Sequence, residues 1–155
     1  MCGLGEKTAI LLAAVHEIFN RIRMESIREQ GIIISSSDQV LEYYKNLLEN
    51  EKKEQLRLMF LNNKNKLIAD ELMQTGTINH TAIYPREIIQ LALEYGASAM
   101  IMVHNHPSGD SQPSRQDIII TKTIADIAHK LNILLLDHVI IGKNGSKSLK
   151  EMGLF

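Results

Sequence analysis

Apolar residues recur along this chain with two different periods, and the switches between them mark its elements. Ala9, Leu11, Leu12, Val15, Ile18, Phe19 and Ile22 return at helical spacing and predict an amphipathic helix within residues 2–30. Gly31 closes it, as glycine does after helix C-termini. Ile32, Ile33 and Ile34 follow, then a polar hinge, Ser35-Ser36-Ser37-Asp38, that caps a helix running from Ser37 to Leu48. Glu54 to Leu61 alternates only in part and reads as a central strand. Asn62-Asn63-Lys64-Asn65 is its hairpin turn, and Lys66 to Leu72 the returning strand. Tyr84-Pro85-Arg86-Glu87 opens a helix that ends at Gly96. Ala99-Met100-Ile101-Met102-Val103, apolar throughout and bounded by Gly96 and a Pro/Gly loop, predicts a buried strand. A helix from Ser114 to about Leu131, a strand from Ile133 to Ile141, a turn at Lys143-Asn144-Gly145 and a short strand near Ser148 complete the chain. After the first helices the order is hairpin, helix, strand, helix, strand, strand. It predicts an α/β fold, in the sense of a mixed sheet flanked by helices. The serine hinge sets the expected division into an N-terminal helical appendage, 1–36, and one domain over 37–155.

Composition narrows the function classes. The chain has 155 residues, long enough for one domain with a core of its own. A net charge of -1 shows no electrostatic footprint for nucleic acid. A single cysteine, Cys2, excludes an intrachain disulfide framework and a four-cysteine zinc site, and fits a reducing cytosol. No apolar stretch reaches membrane-spanning length and no secretory signal opens the sequence, so a cytoplasmic protein is expected. The basic residues Arg21, Arg23 and Arg28 are offset by Glu17, Glu25 and Glu29 and read as a solvated face.

The chemistry concentrates where the apolar strand runs out, at His104-Asn105-His106-Pro107-Ser108-Gly109-Asp110. In extended backbone, residues two apart point to one side, so His104 and His106 aim at a common point while Asn105 faces away. Pro107, Gly109 and Pro113 then turn the chain into the helix that begins near Ser114 and carries Asp117 in its first turn. Two imidazoles and one carboxylate are the ligand set of a catalytic zinc that keeps a position for water. A plainer reading stands beside it: Ser114 as N-cap and Asp117 as an acid favoured by the helix dipole. Asp110, between Gly109 and Ser111, reads as a loop-tip turn residue. Adjacent Asp137 and His138 face opposite sides of their strand, so at least one cannot reach the site. His16, His80 and His129 have no partner at ligand spacing.

The string His104-x-His106-Pro107, continued by Ser114-x-x-Asp117, resembles the second half of the JAMM (JAB/MPN) metalloprotease signature. Its longer wording, with Pro113, resembles the bacterial RadC branch, as do Gly76-Thr77, Tyr84-Pro85-Arg86-Glu87 and Leu136 to Gly142. The resemblance covers roughly Glu54 to the C-terminus and implies a cytidine-deaminase-like JAMM/MPN architecture. It implies a hydrolase with one Zn2+ per chain on His104, His106 and Asp117, acting on a peptide or isopeptide-like amide in a protein substrate. The family's general base is a glutamate at the start of a strand preceding the histidines. Glu54 matches it, with Glu71 on the return strand as rival. Ser114 resembles the serine that assists near the zinc water; as an N-cap too, its one hydroxyl is hard pressed to serve both roles. Asp137 and His138 resemble a buried polar pair behind the site. RadC relatives usually carry an aromatic just before the serine matching Ser148, where this chain has Ser146-Lys147. Gly3-Leu4-Gly5-Glu6-Lys7 resembles the second half of a helix-hairpin-helix, which precedes the JAMM domain in full-length relatives, so a truncated or naturally short N-terminus is expected. That element supports a competing expectation, a DNA-associated accessory protein in repair or recombination. A third is a metal-bound scaffold without activity, against which the intact ligand set argues. An edge strand after the hairpin could receive an extended peptide or a second copy of the chain.

Overall fold

The computed structural model describes residues 31–48, 51–76 and 84–155, and before these only residues 5, 7, 8, 10–12, 14, 15, 18 and 22. Its elements, in chain order, are α1 (Ser37–Leu48), β1 (Glu54–Leu61), β2 (Leu67–Gly76), α2 (Pro85–Glu94), β3 (Ala99–Asn105), α3 (Arg115–Lys130), β4 (Leu134–Gly142) and β5 (Gly145–Ser148). This is the mixed sheet with flanking helices that the hydrophobic pattern predicts. The strands form one sheet in the order β2-β1-β3-β4-β5, antiparallel except for the β3–β4 pair. α3 makes the crossover between those two parallel strands, which cannot be joined by a tight turn. Among the described residues no helix is long and apolar enough to cross a membrane.

β3 is the middle strand and every one of its residues is buried, because helices cover both faces of the sheet. Leu56, Leu58 and Phe60 of β1 join Met100 and Met102 of β3 against Ile88, Ile89 and Ala92 of α2 and Ile120, Ile124 and Ala128 of α3. Their sequence neighbours Met59, Leu61, Ala99, Ile101 and Val103 point the other way, onto Val40, Tyr44 and Leu48 of α1. Those three α1 residues, four apart, line one helix face. The partial alternation of β1 is thus explained: with apolar cover on both sides, period two decides which core a residue joins rather than whether it is buried. Residues 32–34 belong to this domain physically. Leu67 N–H donates to the Ile32 carbonyl, Ile34 N–H to that of Asn65, and Ile34 is buried in the α1-side core. The described apolar positions of the N-terminal helix (Ile10, Leu11, Leu12, Val15, Ile18 and Ile22) are exposed and add nothing to either core. Ala9, Phe19, Gly3 and Leu4, and the basic cluster at Arg21, Arg23 and Arg28, lie outside the described residues.

One charged pair is sealed on the α1 side. Arg57 Nε and Nη2 donate to Asp70 Oδ1 and Oδ2 at 3.1 and 3.0 Å, and Tyr44 Oη donates to Oδ1 at 2.8 Å. Asp70 is opposite Met59 in the β1–β2 register, so Arg57 reaches it as a diagonal neighbour on the same face. A bidentate, hydrogen-bonded pair tolerates burial, whereas one partner alone does not. Asp70→Ala is therefore expected to destabilise the protein by about 3–5 kcal/mol, because it strands the Arg57 charge. Loss of midpoint in urea, at unchanged slope, is the measurement. Arg57→Met combined with Asp70→Leu should recover most of that loss.

Candidate metal centre

The two histidines emerge at the carboxyl end of β3, and sheet parity determines what meets them. In the β1–β3 register Leu56 is opposite His104. Carried two residues further, that register sets Glu54 opposite His106, on the face that looks toward α3. Glu54 opens β1 and is half-buried there. One ligand atom from each of Glu54, His104 and His106 lies within 4.8 Å of the others. The Nε2 atoms of His104 and His106 stand 2.8 Å apart. Asp117 lies beside them, its Oδ1 at 3.6 Å from His104 Nε2 and its Oδ2 at 3.8 Å from His106 Nε2. Glu71 is elsewhere: it sits across from Leu58 on β2, and its carboxylate accepts from the Tyr95 hydroxyl at 2.7 Å.

Asp117 is aimed by the start of α3. Ser114 Oγ accepts from Asp117 N–H at 3.1 Å, and Asp117 Oδ2 accepts from Ser114 N–H at 2.7 Å. This capping box terminates the helix and at the same time locks the rotamer of the acid. The cap of the helix and the approach of Asp117 to the two histidines are one geometry. The cap uses a lone pair of Ser114 Oγ, not its proton, so the hydroxyl can still donate.

His106 is held by its own loop. Its N–H donates to the Ile141 carbonyl, carrying the β3–β4 ladder one step on, and its Nδ1 lies 2.7 Å from the Asp110 carbonyl. A carbonyl only accepts, so Nδ1 carries a proton and Nε2 is the nitrogen turned toward the cluster. That orientation, with a second imidazole and two carboxylates around it, is the donor chemistry a zinc ion requires, and the residues present fit one. Asp110 Oδ1 accepts from Gln112 N–H at 2.9 Å, the local turn expected of it. The loop rests on Gly142, where an added Cβ would stand 2.5 Å from the Gly109 carbonyl oxygen and 2.8 Å from Ser111 N.

Asn105, between the two histidines, faces the opposite side and reaches β1. Its Oδ1 accepts from Gln55 N–H at 2.8 Å and its Nδ2 donates to the Lys53 carbonyl at 3.1 Å. Both neighbours of Glu54 are thereby clamped by one amide. The pattern showed that Asn105 points away, but only the register shows what it holds. His138 lies on the α3 face of β4 and contacts His104 Nδ1 through its Nε2 at 2.8 Å. Its neighbour Asp137 turns away and accepts from the Ser148 hydroxyl, at 2.9 and 2.7 Å to its two oxygens. Parity assigns the pair to opposite faces; which of them finds the site depends on the β3–β4 register. His129 is exposed near the end of α3, and His16 and His80 lie outside the described residues.

Burial sets the protonation of the cluster. It lowers the His104 imidazole from 6.5 to about 4, with the nearby Asp117 opposing and His106 reinforcing that shift. It also drives fully buried His138 well below 6.5. Glu54 is pushed up by burial, partly offset by His106 and increased by Asp117. At neutral pH both buried rings are thus free bases, the form that ligates metals.

In metal-free, chelator-treated protein the unfolded chain therefore takes up protons near pH 6.5 that folded His104 refuses until about pH 4. Stability is expected to be full above that window and to fall as pH drops through it, buried His138 adding to the loss, with His104→Gln reducing the slope. Denaturant midpoints from pH 8 to 4 measure it. Asn105→Ala leaves Gln55 N–H and the Lys53 carbonyl without their partner, at a cost of about 1–3 kcal/mol. Hydrogen exchange at Gln55 should accelerate by a corresponding factor.

The family described as the RadC-like JAB domain matches residues 34–154, a span that begins at the first buried residue of the α1-side core and includes Glu54, His104, His106, Ser114 and Asp117. The chain belongs to the RadC-like JAB domain family.

Proposed function

We propose that this protein is a zinc-dependent hydrolase of JAMM type that cleaves peptide or isopeptide-like amide bonds in a protein substrate. The observation carrying this reading is the convergence of His104, His106, Asp117 and Glu54 at the end of β3. Family membership supports it, since JAB domains include hydrolases. In this reading residues 37–155 hold the whole site.

His104, His106 and Asp117 would hold the metal, with Ser114 N–H fixing one oxygen of Asp117. Zinc bound there supplies Lewis acidity, polarising the amide carbonyl and letting water ionise at a pKa of about 7. Glu54 takes the proton of the attacking water on a carboxylate oxygen as the new carbon–oxygen bond forms. It then delivers that proton to the amide nitrogen as the carbon–nitrogen bond breaks. The upward shift that burial gives Glu54 makes the return of the proton easier. The free proton of Ser114 Oγ would donate to the oxyanion that develops on the carbonyl. Glu54 also lies within ligand distance of both histidines. Asp117 is assigned as the ligand because the capping box restrains it, and Glu54 as the base because nothing ties down its oxygens among the hydrogen bonds given above.

Metal content of untagged protein, measured by mass spectrometry, tests the centre. About one zinc per chain is expected, lost in His104→Ala and in Asp117→Ala. Glu54→Gln should keep the metal while cleavage of fluorogenic peptide and isopeptide substrates drops by about 10²–10⁴-fold. Metal retained in Asp117→Ala but lost in Glu54→Gln would exchange the two roles. Zinc bound with no amide cleaved would overturn the amide assignment, and a folded protein that takes up no zinc would sink the hydrolase reading altogether.

A further inference from the structure

Behind His104 runs a line of contacts that the proposed reaction does not use. His104 Nδ1 lies 2.8 Å from His138 Nε2, His138 Nδ1 lies 2.6 Å from Thr121 Oγ1, and Thr121 Oγ1 lies 2.5 Å from the Asp117 carbonyl oxygen. His104, Thr121 and His138 are all buried. Thr121 stands one helical turn after Asp117. The line therefore starts behind one proposed ligand and ends on the backbone of another, joining β3, β4 and α3.

Counting protons gives the line a direction. The Asp117 carbonyl can only accept, so the single proton of Thr121 is spent on it. Thr121 Oγ1 must then accept from His138, which places the His138 proton on Nδ1. With one proton on the buried ring, His138 Nε2 is a lone pair and must accept from His104 Nδ1. His104 Nε2 is left unprotonated, facing the cluster, so the proton that its 2.8 Å contact with His106 Nε2 requires in the metal-free protein has to come from His106. The opposite direction would send the Thr121 proton to His138 Nδ1 and set two oxygen lone pairs against each other at 2.5 Å, which is repulsive.

We propose that Thr121 and His138 are positioning residues, a relay that commits His104 to the Nδ1-protonated tautomer and so presents its Nε2 to the metal as a lone pair. The inference rests on the metal reading above, and adds to it the residues that prepare one ligand before the ion arrives. Ligating histidines generally donate their outer N–H to an oxygen acceptor or a water. Here the acceptor is a second histidine, whose own tautomer has to be set in turn, and the helix that supplies Asp117 sets it.

Long-range ¹H–¹⁵N spectra of the metal-free protein read the His138 tautomer directly, and zinc affinity by competition with a chromophoric chelator reads the consequence. Wild type is expected to show His138 protonated at Nδ1. Thr121→Val keeps the shape but removes the acceptor. It should shift His138 toward the Nε2-protonated tautomer and weaken zinc binding by about 10–100-fold, as loss of such outer partners does. Thr121→Ser should restore both. A merely structural hydroxyl would change the melting temperature in Thr121→Val and leave tautomer and affinity alone, and that result would overturn the relay. So would wild-type His138 protonated at Nε2, which decides the matter even if Thr121→Val does not fold. Absence of zinc binding in wild type with His138 protonated at Nδ1 would instead remove the metal reading and leave the relay standing as a hydrogen-bond chain.

Discussion

The central strand is covered on both faces, and that single constraint governs the rest of the molecule. Between α1 on one side and α2 with α3 on the other, β3 has no solvent into which a polar side chain could turn. Any polar group it carries must find its partner inside the protein, because an unpaired one costs more than a typical hydrogen bond returns. Five of its residues answer with apolar side chains. The last two, His104 and Asn105, answer by recruiting partners from three other elements. Among the described residues no buried side-chain nitrogen or oxygen lacks a partner.

The partners chosen on the two faces differ in kind. On the α1 side the polar groups form closed structural units. Arg57 with Asp70 and Tyr44 joins the hairpin to the helix, Asp137 with Ser148 pins β5, and Asn105 ties the strand to the chain entering β1. On the α3 side the line from Thr121 through His138 to His104 opens onto the surface at His106 and Asp117. Parity separates these two worlds within consecutive residues. Asp137 and His138 are adjacent in sequence, yet one anchors a strand edge and the other stands behind the proposed metal ligand.

The start of α3 shows how economically the site is assembled. A Ser-x-x-Asp capping box is an ordinary way to begin a helix, and it is worth about 1 kcal/mol where a serine cap is replaced by alanine. Here the same two hydrogen bonds restrain the acid whose other oxygen reaches His104. The helix N-terminus, which favours an anion, faces the carboxyl end of β3, where open α/β sheets place their ligands. Gly142 lets the intervening loop lie against β4, so that the Asp110 carbonyl meets His106.

Much of this was legible from local signals. The apolar run into His104, the spacing of the two histidines, the turn residues and the cap each report on structure within a few residues, where period and propensity suffice. They place the elements and identify the His104, His106, Ser114, Asp117 string, and the opposite facing of Asp137 and His138 follows from period two alone. Tertiary structure decided what depends on register and on packing between distant segments. It set Glu54 rather than Glu71 beside the histidines, gave Asn105 the two neighbours of Glu54 to hold, and brought Thr121 under His138. It also drew residues 32–34 onto the sheet and left the described apolar residues of the N-terminal helix exposed. Periodicity tells a side chain which face to take; which partner waits on that face depends on how strands slide and helices dock, and that is an energy of the whole fold.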